Sequence, residues 1–501
     1  MRPIIQEIST THSPESLIEK LRGEAGIVLL RSAQFDSPQA RYSLVTAKPF
    51  LSFRSYGSRC ELTSGNRPQF QFGNPWHSLD GLMSRYELLD DIDLPFPLGG
   101  CFGCWGYDLK NFVEAKLPRR AVNDLELPDC QVGFHDSLVV FDHRLGKTWI
   151  VSTGLDLDGS RSERRAQRQL EWWRERLSLD VAPGSQSAIR NSQSPPAIAS
   201  NLSRSEFLSI VERAQRYIHA GDIYQVNLSQ RLAAACNLSG WELYERLADL
   251  SPSPFAAFLD AGDVQIVSSS PELFLRITGS HIITRPIKGT RPRSADPLRD
   301  AQLSYELQTS PKEMAELLMI TDLLRNDLGK VCEYGSVSVP ELVRLERYPQ
   351  VQHLVSTVEG RLRPGVTHFA AFASGFPGGS ITGAAKIRAM EIIDELETVA
   401  RGPYTGAIGY LGFNRESQLS IAIRTAVLKD GTAYFGAGAG IVADSDPAAE
   451  FDETLAKARG FLDATNLALN ATVSDASQHR PSASSVPSFI NSMRKPSSPE
   501  P

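Results

Sequence analysis

Two Glu-x-x-Glu pairs, each at the start of a predicted helix, could do metal chemistry. They are Glu313 with Glu316, and Glu450 with Glu453. Like charges at this spacing repel by about a few tenths of a kcal/mol on an isolated helix, so two such pairs brought together favour a hard cation such as Mg2+. The alternative is helix capping, because Ser310 and Glu313 form a Ser-x-x-Glu box and acidic residues stabilise a helix N-terminus. The spacing alone is compatible with both.

Two glycine-rich segments could hold an anion. The first, FPGGSITGAAK at 376–386, precedes a predicted helix, an arrangement that points backbone N–H groups at a ligand. It is not a nucleotide phosphate loop, because Ala384 stands where the phosphate-binding lysine is required. A carboxylate site or a tight loop before an amphipathic helix fits equally well. The second segment, GAGAG at 436–440, would let the backbone approach a ligand closely.

Four further side chains have types suited to a substrate site. Arg424 lies in an apolar strand-like run, 419–427, and needs either a ligand carboxylate or an internal salt bridge. Lys288, in a turn with three arginines (RPIKGTRPR), becomes a nucleophile if burial and positive neighbours lower its pKa, or else belongs to a solvated basic loop. Glu272 could donate a proton from an apolar pocket, or be an ordinary surface glutamate. His353 is in a strand-like stretch, where a core histidine is the usual explanation.

Composition excludes several classes of partner. The 52 Lys plus Arg against 58 Asp plus Glu leave a net charge of -6, which argues against nucleic acid and anionic membranes. No run approaches 18 apolar residues and the first ten residues lack a signal-peptide pattern, so we expect a cytoplasmic protein. Six cysteines in 501 residues are too few for a disulfide scaffold, and we expect them to be reduced.

The pattern of strands and helices that would position these side chains predicts an α+β protein with two domains. Short strands cluster instead of alternating strictly with helices, as at 26–30, 42–46, 137–141, 264–268 and 420–428. Helices are predicted at 161–177, 205–220, 311–328 and 387–396. The predicted domains span 1–180 and 201–467, separated by a Ser/Pro-rich linker at 181–200 and followed by a Ser/Pro-rich tail at 468–501.

Eight sequence blocks between 221 and 447 together resemble a known family. They are GDIYQVNLSQR, SSSPELFL, RPIKGTRPR, AELLMITDLLRNDLGKV, VQHLVSTVEG, FPGGSITGAAKIRAMEIIDELE, RGPYTGAIGYLGF and GAGAGIVADSDP. Over residues 20–465 the chain is similar to the chorismate-utilising enzymes of the anthranilate synthase component I type. Related anthranilate synthases have PIAGT where this chain has PIKGT. The lysine indicates the branch of the family that makes 4-amino-4-deoxychorismate for p-aminobenzoate and folate synthesis.

The resemblance implies a two-domain mixed sheet and helix architecture, and a role for each candidate. Lys288 would attack C2 of chorismate as the C4 hydroxyl leaves, with Glu272 as general acid and base. Glu313, Glu316, Glu450 and Glu453 would hold Mg2+ beside the ring carboxylate. The substrate itself would contact the residues Thr290, His353, Ser380, Tyr404, Arg424, Gly438 and Gly440.

The resemblance also implies a partner and a regulatory pocket. Ammonia would come from a glutamine amidotransferase on a separate chain, since no glutaminase block occurs in these residues. A tryptophan pocket would be formed by Ser32, Gln39, Ala40, Arg41, Tyr42, Pro254, Phe255 and Ala256. Arg31 replaces the glutamate of feedback-sensitive relatives, which argues against tryptophan regulation. The alternatives are an anthranilate synthase component I and a non-catalytic anion- or nucleotide-binding protein.

Overall fold

The computed structural model describes residues 2–32, 40–65, 67–88, 94–178, 198–348 and 350–465. Most of the predicted linker, the whole predicted tail and Gln39 lie outside these residues. The described strands are β1 (Ile4–Ile8), β2 (Ile27–Arg31), β3 (Tyr42–Thr46), β4 (Leu51–Tyr56), β5 (Arg59–Ser64), β6 (Arg67–Phe72), β7 (Gly100–Trp105), β8 (Cys130–His135), β9 (Ser137–Asp142), β10 (Lys147–Ser152), β11 (Ala199–Ser200), β12 (Gln225–Ala235), β13 (Phe255–Asp260), β14 (Gln265–Ser270), β15 (Leu273–Thr278), β16 (His281–Arg285), β17 (Ile287–Pro292), β18 (Ser338–Arg347), β19 (Val351–Arg361), β20 (Gly383–Ala384), β21 (Ala407–Gly412), β22 (Glu416–Ile421), β23 (Thr425–Lys429) and β24 (Thr432–Ile441).

Two helices begin at the capping side chains and prolines that the sequence predicts. Ser310 caps α8 and Asp446 caps α11, each followed by a proline at the first helical position. The helices are α1 (Pro14–Lys20), α2 (Pro75–Tyr86), α3 (Lys110–Val113), α4 (Glu163–Ser178), α5 (Arg204–His219), α6 (Gly240–Leu250), α7 (Pro297–Thr309), α8 (Pro311–Gly329), α9 (His368–Gly375), α10 (Lys386–Leu396) and α11 (Pro447–Ala464). No helix of the described residues is long and apolar enough to cross a membrane.

The strands form two antiparallel sheets of twelve strands each. The first sheet has the order β1-β10-β9-β3-β2-β13-β14-β23-β24-β12-β11, with β20 also paired to β12. The second has the order β17-β19-β16-β15-β22-β21-β7-β8-β4-β5-β6, with β18 also paired to β19. This arrangement of helices with two large mixed-order sheets confirms the predicted α+β class.

Apolar side chains on both faces of the first sheet form the core. On one face, α1, α4, α6 and α11 cover the sheet with residues such as Trp173, Trp241 and Phe461. On the other face, a larger cluster joins both sheets to α2, α5, α8, α9 and α10. The six cysteines are buried and free, as expected for reduced thiols. Burying a large apolar side chain in this way contributes about 1.5–3 kcal/mol to the free energy of folding, relative to leaving it exposed.

Both predicted domains contribute strands to both sheets. β2 pairs with β13 in the first sheet, and β7 pairs with β21 in the second. The sheets are therefore continuous across the predicted boundary between 1–180 and 201–467. The division into two domains stays a prediction.

The single strand predicted at 420–428 is wrong. The chain forms β22 in the second sheet, leaves it after Ile421 and enters the first sheet as β23 from Thr425. Arg424 lies at this crossing with φ of 51°, not within a strand. Hydrophobic periodicity missed the break because the run is buried on both sides of it, so the apolar pattern continues.

A second crossing lies next to the first one. The chain leaves β14 at Ser270 and enters β15 at Leu273, passing from the first sheet to the second. Ser270 Oγ donates to the carbonyl of Ile421 at 2.6 Å, and the Ile421 N–H donates to the carbonyl of Glu272 at 3.1 Å. The Ser269 N–H also donates to the carbonyl of Arg424 at 3.0 Å. These bonds hold the two crossings together.

Replacing Ser270 with Ala should lower the free energy of unfolding by about 1–2 kcal/mol, because it removes a fully buried hydrogen bond between the crossings. Urea denaturation at constant pH measures the difference. Ser58→Ala, at an exposed turn position, is the matched control and should stay within about 0.5 kcal/mol of the parent. Equal stability of the two variants would contradict the role given to Ser270.

Candidate active site

All the residues predicted for catalysis, substrate contact and metal binding line one cavity of about 530 Å³. It lies beside the two crossings, between β17 and β19 of the second sheet and β24 of the first. The starts of α8 and α11 contribute the four glutamates, and the segment before α10 contributes Ser380. The structure therefore brings together side chains that are up to 181 positions apart in the chain, from 272 to 453.

Glu272 lies at the crossing between β14 and β15 and is 5% exposed. Burial raises its pKa to about 7, although a hydrogen bond from Ser380, the charge of Lys288 and the N–H of Ile287 all favour the carboxylate. A carboxyl group with a pKa near neutrality can both donate and accept a proton. The surface-glutamate alternative is therefore wrong for this residue.

Lys288 lies on β17 and not in a turn. The strand pairs with β19, and Gly289, with φ of 67°, forms an irregularity between Lys288 and Thr290. Lys288 Nζ is 3.8 Å from Glu316 Oε2, and 14% of the lysine side chain is exposed. The bulge inserts one residue and redirects the side chains on either side of it.

The three neighbouring arginines do not surround Lys288 with uncompensated positive charge. Arg285 pairs with Glu346, Arg291 with Glu313, and Arg293 with Asp300. The solvated-loop alternative is also wrong, because the segment is a paired strand at the cavity wall.

His353 faces the cavity from β19, next to Thr290. Its Nδ1 is 3.0 Å from Thr290 Oγ1 and 3.4 Å from the carbonyl of Gly289. Burial lowers the pKa of His353 to about 4, so the imidazole is neutral near pH 7. It can orient a substrate by hydrogen bonding without adding charge.

Arg424 provides an unpaired cation in the cavity wall. Within the described residues, its guanidinium makes no hydrogen bond or ion pair with another side chain, and burial lowers its pKa. The internal salt bridge considered above is thus absent from this part of the chain. A buried guanidinium without a partner suits a carboxylate ligand, which it can bind through two parallel N–H bonds.

Tyr404 approaches so closely that only glycine fits opposite it on β24. A Cβ on Gly436 would lie 2.3 Å from the Tyr404 ring, and one on Gly438 would lie 2.8 Å from its hydroxyl oxygen. A Cβ on Gly440 would lie 2.4 Å from Gln225 Nε2. The GAGAG run therefore lets the strand pack directly against the residues that line the cavity.

The four glutamates share the cavity but are separately paired. Glu313 is 3.4 Å from Arg291, Glu453 is 2.6 Å from Lys457, and Glu450 accepts a hydrogen bond from Ser445. Burial, opposed by Ser445 and reinforced by the charge of Glu453, raises the pKa of Glu450.

Among the residues described, no three His, Cys, Asp or Glu side chains are close enough to hold a metal ion unaided. Their carboxylate oxygens are still the donors that a hard cation prefers. The capping alternative is partly supported as well, because the Ser310 side chain accepts from the Glu313 N–H.

Two amides in the site were missed by the sequence analysis. Gln225 Oε1 and Asn227 Oδ1 are buried and have no hydrogen-bond partner among the described residues, and Asn227 lines the cavity. Both lie on β12, two residues apart, so they share one face of the strand. The alternation of polar and apolar residues in QVNLSQ could have indicated them, because it places polar side chains on one face of a strand.

Part of the predicted tryptophan pocket forms a separate small cavity of about 40 Å³. Ser32, Tyr42, Pro254, Phe255 and Ala256 line it, together with Arg31. Tryptophan binding stays a prediction.

Two other residues predicted for that pocket do not line it. Arg41 forms an ion pair with Asp142, and Ala40 is fully buried. The ion pair holds the Arg41 guanidinium on the neighbouring β9, and the place of Arg41 in a tryptophan pocket stays a prediction.

Comparison with known proteins identifies the family. A family model described as chorismate binding enzyme matches residues 32–463. The chain belongs to the chorismate-binding enzyme family. Anthranilate synthase component 1 of Thermus thermophilus is 43% identical over 468 residues, 92% of this chain and 97% of that protein. Aminodeoxychorismate synthase component 1 of Klebsiella aerogenes is 40% identical over 451 residues, 89% and 95% of the two chains.

The fold agrees with this family. The crystal structure of anthranilate synthase component I from Streptococcus pneumoniae matches with a TM-score of 0.74 at 32% identity, covering 85% of this chain and 93% of that chain. The protein is thus a chorismate-utilising enzyme related to both anthranilate and aminodeoxychorismate synthases. Identity near 40% to both groups does not distinguish the two products.

In this family member, Glu272→Gln should change how stability depends on pH. The pKa of Glu272 is about 7 in the folded state, against an ordinary value of 4.5. Between these pH values the folded protein binds a proton that the unfolded chain does not, so the free energy of unfolding of the parent falls as the pH rises from 4.5 to 7. Glu272→Gln cannot titrate and should lack this fall, which amounts to as much as about 3 kcal/mol. Urea denaturation from pH 4.5 to 8 measures it. Glu171→Gln, at an exposed position on α4, should keep the parental profile, and a parental profile for Glu272→Gln would contradict the raised pKa.

Proposed function

We propose that this enzyme converts chorismate and ammonia into 4-amino-4-deoxychorismate. The observation that carries the proposal is Lys288, a primary amine at the wall of the same cavity as Glu272, whose pKa is near 7. A lysine nucleophile divides a difficult allylic displacement into two easier steps. A neighbouring acid with a matched pKa assists departure of the hydroxyl group.

The charges of the cavity suit a dicarboxylate held at both ends. The free guanidinium of Arg424 and the hydroxyl of Tyr404 would bind the enolpyruvyl carboxylate, beside Gly438 and Gly440. Thr290, His353 and Ser380 would line the ring. The ring carboxylate would face the four glutamates, and its charge can be accommodated there only if a cation lies between them.

Glu313, Glu316, Glu450 and Glu453 would hold Mg2+, assisted by the ring carboxylate. When bound, the ion supplies the positive charge that compensates the substrate and the glutamates. The 3.8 Å contact between Glu316 and Lys288 also brings a carboxylate to the nucleophile, where it can orient the amine. A neutral amine is required for attack.

The reaction would proceed by two displacements with allylic shift. Lys288 Nζ forms a bond to C2, the ring double bond shifts, and the C4–O bond breaks as Glu272 gives its proton to the departing hydroxyl, which leaves as water. Ammonia then forms a bond to C4, the double bond returns, and the C2–N bond breaks. Glu272 takes a proton from the new ammonium group and the lysine amine is regenerated. The net change is chorismate plus ammonia to aminodeoxychorismate plus water.

A glutamine amidotransferase on a separate chain would supply the ammonia. The name "component 1" of the relatives denotes one part of a larger enzyme in those proteins. The described cysteines support this division, because all six are buried and none lines the catalytic cavity. A glutaminase nucleophile needs an accessible thiolate.

Anthranilate synthesis is the second candidate. It is favoured by the 43% identity to the Thermus thermophilus enzyme, which exceeds the 40% to the aminodeoxychorismate synthase of Klebsiella aerogenes. It makes no use of an amine at position 288. Mass and fluorescence analysis of the product formed from chorismate, Mg2+ and an ammonium salt distinguishes the two functions.

Lys288→Ala should reduce aminodeoxychorismate formation at least about a hundredfold, because the covalent route loses its nucleophile. Because the variant has the PIAGT segment of related anthranilate synthases, some anthranilate could form instead. Product analysis and mass spectrometry of trapped enzyme test this, with an adduct expected on Lys288 of the parent. Lys116→Ala, at an exposed position outside the cavity, should retain full activity. Parental output from Lys288→Ala would overturn the covalent mechanism.

Glu453→Gln should raise the Mg2+ concentration needed for half-maximal activity roughly tenfold or more, because a ligand charge is lost. Its thermal stability without metal should be preserved. Asp452→Asn, at the adjacent exposed position of α11, should leave the Mg2+ requirement unchanged. An unaltered Mg2+ dependence combined with lower thermal stability would support helix capping instead.

The purified single chain should form product with ammonium salts but not with glutamine. At fixed total ammonium its rate should rise with pH through the neutral range, because only unprotonated ammonia is a nucleophile, until the enzyme's own groups titrate. Adding a glutamine amidotransferase should restore glutamine use. Glutamine-dependent product from the chain alone would refute the two-chain arrangement.

A further inference from the structure

A second cavity, of about 650 Å³, lies between the two sheets and shares no lining residue with the catalytic cavity. Its walls are β2, β13 and β14 of the first sheet and β4, β7 and β8 of the second. Val28, Phe53, Val264 and Ile266 supply apolar surface. A space this large between two packed sheets lacks the van der Waals contacts that close packing would give. Its volume is typical of ligand-binding sites.

Two hydrogen-bond acceptors on β8 line this inter-sheet cavity and lack donors. Gln131 Oε1 is buried and has no hydrogen-bond partner in the part of the chain that the structure describes. Thr46 Oγ1 donates to the carbonyl of Ser137 and is 2.9 Å from Nδ1 of His135, so Nδ1 carries the imidazole proton and Nε2 is left as an acceptor. Nε2 has no hydrogen-bond partner in the described structure.

The neutral state of His135 follows from its surroundings. Burial lowers its pKa to about 3, so the ring stays uncharged at physiological pH. The Phe102 ring packs edge-on at 5.6 Å and fixes the imidazole. Gly133 leaves space beside it, since a Cβ there would lie 2.7 Å from Nε2.

The cavity offers no free basic side chain to an anion among its described lining residues. The acidic side chains that line it are themselves engaged, because Glu24 pairs with Arg176, Glu61 pairs with Arg59, and Asp260 accepts from Gln265 Nε2. Arg54 is already engaged, because it bridges the sheets by pairing with Asp263 and donating to the carbonyl of Ala261. The dianionic substrate of the catalytic cavity is therefore unsuited to this one.

We propose that the inter-sheet cavity is a second ligand site for a small aromatic amine. The aromatic body would lie between the apolar walls, and the amine would donate to the Gln131 amide oxygen. Aromatic rings suit such a space because they bury a large area with few rotatable bonds. The preference for an ammonium group over a carboxylate follows from the unpartnered acceptors and from the absence, among the described lining residues, of a basic side chain without a partner.

The test uses a matched pair of fluorescent probes with the full-length enzyme: 2-(1-naphthyl)ethylamine and 3-(1-naphthyl)propionate. The amine should bind with a saturable change in fluorescence, and the carboxylate should bind at least about tenfold more weakly. Saturating chorismate should not displace the amine. Absence of amine binding, equal binding of both probes, or displacement by chorismate would overturn the proposal.

Variants at Gln131 locate the site. Gln131→Leu should weaken amine binding by about three- to tenfold, because it removes one hydrogen-bond acceptor, while chorismate turnover is retained. Gln71→Leu, on the exposed strand β6, is the matched control and should bind like the parent. If Gln131→Leu does not fold, Gln131→Glu decides the question: tighter amine binding is expected, and unchanged affinity would overturn the proposal.

Discussion

The active site depends on two neighbouring points where the chain passes from one sheet to the other. Each crossing interrupts a buried strand, so its backbone groups need partners outside a regular ladder. They find them in each other, through Ser270 with Ile421 and Ser269 with Arg424. One crossing presents Glu272 and the other presents Arg424. Acid and guanidinium are therefore placed by the same hydrogen bonds that join the two sheets.

A buried ion pair supports the opposite wall of the cavity. Arg401 makes two hydrogen bonds to Glu397, at 2.7 and 2.8 Å, and also donates to the carbonyls of Ile381 and Asn227. Its guanidinium also lies 5.9 Å from the centre of the Tyr404 ring. Removing either charge would leave the other buried and unpaired, at a cost of about 3–5 kcal/mol. This network fixes the position of Tyr404, against which the glycines of β24 pack.

Charge is distributed unevenly within the catalytic cavity. Its walls contain the Arg424 guanidinium, which has no side-chain partner among the described residues, and four carboxylates at two helix starts. Arg424 gains from a ligand carboxylate because burial has already removed its water. Under the proposed function, a cation would have to lie among these carboxylates before a second ligand carboxylate could approach. A dicarboxylate would then be held in one orientation, with its ring beside Lys288 and Glu272.

By itself the sequence determined the fold class, the starts of α8 and α11, most strand positions and the candidate residues. These follow from local rules: periodicity, proline and capping side chains act within a few positions. Tertiary structure alone decided the break at Arg424, the strand conformation of Lys288 and the unpartnered amide oxygens of Gln225 and Asn227. Each depends on long-range pairing between strands. Burial, which raises the pKa of Glu272 and lowers that of Arg424, likewise exists only after both sheets have assembled.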